Sequence, residues 1–146
     1  MSHVSSDPFD LSRFVVAQEN SWPAALDELR AGNKRSHWMW YVFPQFAGLG
    51  SSAMANRYAI HSRAEAEAFL AHPILGRRLE ECAEALLGVE GRSAEQIMGF
   101  PDFLELCSSM TLFAEVAPPG SVFERVLGKY YDGAKDGKTI GFLGAK

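Results

Sequence analysis

Aromatic rings suited to ligand binding are concentrated in one stretch of the sequence, residues 36–52. Indole and phenol rings stack on nucleotide bases and flank sugars, and the candidates for this role are Trp38, Trp40 and Tyr41. These three positions do not share one helical face, so we expect at least one ring to line a cavity or face solvent. The alternative is core packing, which we expect for most of the aromatic set and for Phe43 in particular.

The turn that follows the aromatic residues has the composition of an anion-binding loop. Glycines let the backbone approach a ligand, and successive N–H groups ahead of a helix can hold a phosphate. Serine hydroxyls add further donors. The candidate binding residues in and just before this turn are Gln45, Gly48, Gly50, Ser51 and Ser52. The alternative is a plain tight turn in which a serine caps the next helix.

The charge distribution favours an anionic ligand at the same stretch. No acidic residue occurs between Glu28 and Glu65, although the whole chain carries a net charge of −4. An acid-free segment in an acidic protein produces a local positive field, and the candidate phosphate ligands in it are Lys34, Arg35 and His37. The same cations also fit a solvated face that binds nothing.

Acid–base chemistry needs a carboxyl group, and the candidates lie close to the C-terminus. Asp132 and Asp136 belong to a turn-rich loop that also carries two lysines, so either carboxylate is a candidate general acid or base. A solvated turn is the alternative. Upstream, hydroxyls at 108, 109 and 111 interrupt an apolar helix, which indicates either back-bonding to helix carbonyls or a polar pocket wall.

Composition excludes several classes of protein. The four histidines lack metal-ligand spacing, so neither a metal nor another cofactor is expected. Cys82 and Cys107 form no CxxC pair and are predicted to be reduced thiols, which fits a cytoplasmic location. No apolar run is long enough to cross a membrane, and no signal peptide is recognisable. The net charge of −4 argues against nucleic-acid binding.

Capping signals predict the fold that must position these residues. Serine followed three residues later by Glu or Gln marks a helix start, and the pattern occurs at 62–65, 93–96 and 121–124. With no clear two-residue alternation, we predict a mainly α fold: a single compact domain of six to eight short helices with an aromatic-rich irregular segment at 36–52. The domain is predicted to span 7–146, after a flexible tail at 1–6.

Several motifs resemble those of the bacterial domain-of-unknown-function family 1810. They are residues 36–45 (SHWMWYVFPQ), 48–51 (GLGS), 65–73 (EAEAFLAHP), 75–79 (LGRRL) and 108–113 (SSMTLF). The resemblance covers about residues 8–144 and implies a mainly α-helical fold. This chain has Phe103-Leu104-Glu105 where a more polar Asp-Leu-Lys-like segment is expected of the family. Relatives sometimes carry the label calpastatin, whose disordered, proline-rich composition this chain does not share.

The order of the aromatic block, short helices and Leu-Gly-Arg turn is also similar to the NADAR superfamily. That similarity implies ADP-ribose chemistry and N-glycosidic cleavage. We therefore expect a pocket for a small anionic, nucleotide-like or ADP-ribose-like ligand, with hydrolysis of an N-glycosidic bond as the candidate reaction. The alternative is a non-catalytic protein-interaction module in which the aromatic block is core.

Overall fold

The computed structural model describes residues 7–144, so the predicted flexible tail at 1–6 lies outside the described residues. Ten helices occupy this range, and the predicted mainly α fold class is confirmed. They are α1 (Ser12–Gln18), α2 (Trp22–Arg30), α3 (Met39–Val42), α4 (Ala53–Arg57), α5 (Arg63–Ala71), α6 (Leu75–Leu87), α7 (Ala94–Met98), α8 (Asp102–Val116), α9 (Val122–Tyr131) and α10 (Gly137–Gly144). Within residues 7–144, β pairing is confined to one isolated bridge between Phe46 and Ile60.

The three predicted capping serines start helices as expected. The hydroxyls of Ser62, Ser93 and Ser121 each accept a hydrogen bond from the backbone N–H three residues later. The reciprocal half of the capping box forms only at Ser93, whose N–H donates to the Gln96 side chain. Glu65, three residues after Ser62, instead accepts from the Arg13 guanidinium, so its side chain ties α5 to α1.

Helix α8 is the central element of the fold. It contacts α5, α7, α9 and α10, while α6 packs on α2, α5 and α9. The core around it contains aromatic rings in a continuous series: Phe14, Phe69, Phe113 and Phe123 lie with neighbouring ring centroids 5.0, 5.3 and 5.9 Å apart. Edge-to-face and tilted packing of this kind stabilises a core beyond the area that it buries. None of the helices between residues 7 and 144 is both long and apolar enough to cross a bilayer.

Candidate functional site

A buried carboxylate holds the start of the aromatic segment in place. Glu28, on α2, is 6% exposed, and its Oε1 accepts hydrogen bonds from the N–H groups of Arg35 and Ser36 and from the Trp38 indole, at 2.8 to 3.0 Å. Its second oxygen accepts from the Ser36 hydroxyl. Burial opposes ionisation, but these hydrogen bonds outweigh it and lower the pKa of Glu28 to about 2. Glu28, the last acidic residue before the acid-free segment, therefore holds the start of that segment through hydrogen bonds.

Most of the aromatic block belongs to the core, as we expected of Phe43. Phe43 is fully buried, and Trp38 is 1% exposed with its N–H committed to Glu28. Tyr41 is also buried, and its hydroxyl lies 2.8 Å from that of Ser21. Trp38 and Tyr41 therefore offer no free face on which a ligand could stack, whereas Trp40 is half-buried. Between residues 36 and 52 the backbone is mostly irregular, with α3 as its one short helix.

Lys34, expected to bind phosphate, already has anionic and π partners. Its Nζ lies 2.8 Å from Asp102 Oδ2, donates to the Ser36 carbonyl at 2.6 Å and sits 4.8 Å from the Trp38 ring centroid. Only 7% of the lysine side chain is exposed. Asp102 already neutralises the positive charge of Lys34, so a phosphate could bind this lysine only by displacing Asp102. Arg35 and His37, by contrast, are exposed.

The glycine-rich turn has a packing role. A Cβ on Gly50 would lie 2.6 Å from the Cβ of Ala55, so glycine is needed for the close approach of this loop to α4. Gly48 adopts a φ of +97°, and a Cβ added there would lie 3.5 Å from the Phe142 ring. Ser52 caps α4 by accepting from the N–H of Ala55. The plain-turn alternative with a serine cap accounts for these contacts.

A cleft of about 630 Å³ lies between α8, the 45–50 loop and the start of α10. It brings together three residues proposed from sequence, namely Gln45, Gly50 and Asp136. The residues that complete its lining are Leu49, Pro101, Phe103, Leu104, Glu105, Cys107, Ser108, Tyr131, Gly137 and Lys138. The other predicted binding residues, including both tryptophans, do not line it. Asp132 is exposed, caps the C-terminus of α9 with φ 55° and also lies outside the lining.

Glu105 lines the cleft, although it was not among the site residues predicted from the sequence. It lies on α8 and is partly buried. Burial raises its pKa, the Asp102 carboxylate raises it further, and Lys34 opposes both effects. A signal for it existed in the sequence, because Glu105 and Ser108 are three residues apart and therefore share one face of α8.

Asp136 has a structural role at the same cleft. Its Oδ2 accepts from both the backbone N–H of Thr139, at 3.0 Å, and the Thr139 hydroxyl, at 2.6 Å, which is the geometry of an N-cap on α10. Its own N–H donates to the Thr111 hydroxyl at 2.9 Å. The cap holds the carboxylate in the lining of the cleft, and among residues 7–144 no hydrogen bond to its Oδ1 is formed.

The hydroxyl groups of α8 were predicted either to donate back to helix carbonyls or to form a polar pocket wall, and both arrangements occur. Thr111 and Ser108 donate to helix carbonyls four residues earlier, at 2.8 and 3.4 Å, and Ser108 also lines the cleft. The buried Ser109 hydroxyl has no partner among the described residues. Next to Ser108, burial raises the pKa of the Cys107 thiol, and the nearby Asp136 raises it further. Cys107 is therefore a protonated thiol at neutral pH.

These features define an all-α protein with an open cleft beside its central helix. Within residues 7–144, no cluster of three or more His, Cys, Asp or Glu side chains is arranged to hold a metal ion. The chain belongs to the family described as a protein of unknown function, DUF1810, whose model matches residues 8–143.

The crystal structure of the conserved hypothetical protein Rv1873 from Mycobacterium tuberculosis is similar to this chain, with a TM-score of 0.94 and 53% sequence identity. The match covers 96% of this chain and 100% of that one. No functionally curated protein matches the chain. The comparisons thus establish the family and the fold.

Proposed function

We propose that the cleft binds a small nucleotide-like ligand and that the protein hydrolyses the N-glycosidic bond of that ligand. The observation that carries the proposal is that two carboxyl groups, Glu105 and Asp136, line one cleft of about 630 Å³. A cavity of this size lies in the range of about 300–1,000 Å³ that is typical of small-molecule sites. Two carboxyls in different surroundings are suited to separate acid and base roles.

The remaining walls of the cleft fit a base and a sugar. Phe103 and Tyr131 supply aromatic surface, and Leu49 and Leu104 supply aliphatic surface. The Tyr131 hydroxyl donates to the Phe103 carbonyl at 2.5 Å, which holds the phenol ring in position. The Gln45 amide can both donate and accept hydrogen bonds, as recognition of a base edge requires.

The proposed reaction assigns one role to each carboxyl group. Asp136 takes a proton from a water molecule whose oxygen forms the new bond to the anomeric carbon. The carbon–nitrogen bond breaks, its electron pair moves to the nitrogen, and that nitrogen receives the proton of Glu105. The raised pKa of Glu105 supports this assignment, because a proton donor must still hold its proton near neutral pH. The products are the sugar and the released base.

Release of free base tests the proposal. Purified protein is incubated with ribonucleosides, their monophosphates and ADP-ribosylated nucleosides, and the products are separated by chromatography. We expect Glu105→Gln to lower turnover at least about 100-fold, the usual contribution of a general acid. Glu67→Gln, on the exposed face of α5, is the matched control and should retain full turnover. No release of base from any substrate, or equal turnover by Glu105→Gln, contradicts the proposal.

A second candidate function is a non-catalytic protein-interaction module with the aromatic block as core. Phe100, 74% exposed, and Leu104, 50% exposed, favour it because they present apolar surface beside the cleft. Thermal shift separates the two functions, since a ligand at 100 times its Kd stabilises a protein by about 2.7 kcal/mol. No thermal shift with any nucleoside or nucleotide favours the interaction module, and a shift of this size with one of them favours the binding cleft.

A further inference from the structure

The charged side chains that line the cleft do not suit a phosphate. They are Glu105, Asp136 and Lys138, so one positive charge against two negative charges gives a net charge of −1 when both carboxyls are ionised. Protonation of Glu105 brings the sum to zero. Anion sites have the opposite balance, with an excess of positive charge or of free N–H donors.

The cations that the sequence offered for phosphate do not change this balance. Lys34 is paired with Asp102 at 2.8 Å and does not line the cleft. Arg35 and His37 are exposed and are likewise absent from the lining. The positive charges expected to attract a phosphate are therefore either neutralised, as at Lys34, or exposed outside the cleft, as at Arg35 and His37.

The helix N-terminus at the cleft is also occupied. The first turn of α10 opens beside the cleft, where its unpaired N–H groups and the positive end of its dipole would ordinarily attract an anion. The carboxylate of Asp136 already caps this turn by accepting from the Thr139 N–H. A phosphate placed there would meet a carboxylate of the same charge.

We infer that the ligand of the cleft is an uncharged nucleoside rather than its phosphorylated form. The inference rests on the proposed function, because it specifies which member of the nucleotide-like class the same cleft accepts. In this assignment, ribose hydroxyls donate to Oδ1 of Asp136, and the protonated carboxyl group of Glu105 donates to the base. The base itself is held by aromatic and amide groups that carry no charge.

Calorimetric titration with paired ligands tests the inference. Adenosine and AMP, uridine and UMP are each titrated into the protein at low salt. We expect each nucleoside to bind about 5- to 30-fold more tightly than its monophosphate, for a phosphate dianion about 8 Å from one negative charge at an effective dielectric constant of about 40 to 80. Raising the salt to 1 M should shrink this ratio, because screening acts on charge and leaves stacking intact.

Two variants test whether a carboxylate charge in the cleft causes the preference for nucleosides over monophosphates. Asp136→Asn removes the negative charge that remains in the cleft when Glu105 is protonated, and asparagine still caps α10. This variant should bring nucleoside and monophosphate close to equal affinity, whereas Glu67→Gln on the exposed face of α5 should leave the ratio unchanged. Monophosphates that bind as tightly as nucleosides, or more tightly, overturn the inference and leave the cleft as a nucleotide site. Absence of binding by both kinds of ligand overturns the proposed function itself.

Discussion

Replacing Glu28 by Gln measures how strongly the buried carboxylate stabilises the aromatic segment. The pKa of Glu28 falls from an ordinary value of 4.5 to about 2 in the folded protein. The difference of about 2.5 units corresponds to about 3–4 kcal/mol of stability, at about 1.4 kcal/mol per unit. A folded-state pKa below the unfolded one stabilises at pH above 4.5, and the contribution is lost as the pH falls through about 2. Gln mimics the protonated acid while keeping its shape.

Urea denaturation at two pH values provides the assay. We expect Glu28→Gln to lower the free energy of unfolding by about 3–4 kcal/mol at pH 7 and by about 1 kcal/mol at pH 3, where linkage leaves less than half of the effect. Asp27→Asn removes the same charge from an exposed position on α2 and should change stability by less than about 0.5 kcal/mol. A loss below about 1 kcal/mol at pH 7, or an equal loss at both pH values, would show that the Glu28 carboxylate does not stabilise the aromatic segment through its hydrogen bonds.

Substitutions at two further positions test the loops around the cleft. Gly50→Ala should destabilise by about 1–3 kcal/mol, because its Cβ would lie 2.6 Å from that of Ala55, and chemical denaturation checks this. If the variant is as stable as the wild type, the loop does not pack on α4 as described. Asp136→Ala should cost about 1 kcal/mol by removing the cap on Thr139, whereas Asp136→Asn should cost much less, since asparagine caps helices well. Equal losses would mean that the carboxylate charge, and not capping, is responsible.

Local sequence signals predicted the helices well. A cap, a glycine stop or a proline acts within a few residues, so its effect is visible in the sequence: α5 ends at Ala71, just before His72-Pro73, and α2 ends two residues before Gly32, whose φ is +70°. The start of α1 was harder to predict from the sequence. Pro8 would suit the first turn of a helix, but Asp7 accepts from the N–H groups of Leu11 and Ser12, and α1 begins only at Ser12.

The site was harder to predict because it depends on long-range contacts. The acid-free segment suggested free cations, but the acids at its two boundaries fold back onto their surroundings: Glu28 binds the start of the segment, and Glu65 accepts from Arg13 and from the N–H of His61. Lys34 meets Asp102 across 68 positions of sequence. No local pattern in the sequence reveals such pairings. Because of them, Lys34 and Trp38, which were predicted to bind a ligand, have structural roles instead.

We expect a nucleoside to bind between α8 and the start of α10. Backbone amide chemical shifts, recorded as adenosine is titrated into isotope-labelled protein, test it most directly. We expect the largest changes at Gly50, Glu105 and Gly137, which line the cleft. We expect no change along the exposed groove lined by Arg77 and Glu81 on α6. Shifts concentrated at that groove, or no shifts at saturating nucleoside, would contradict the claim.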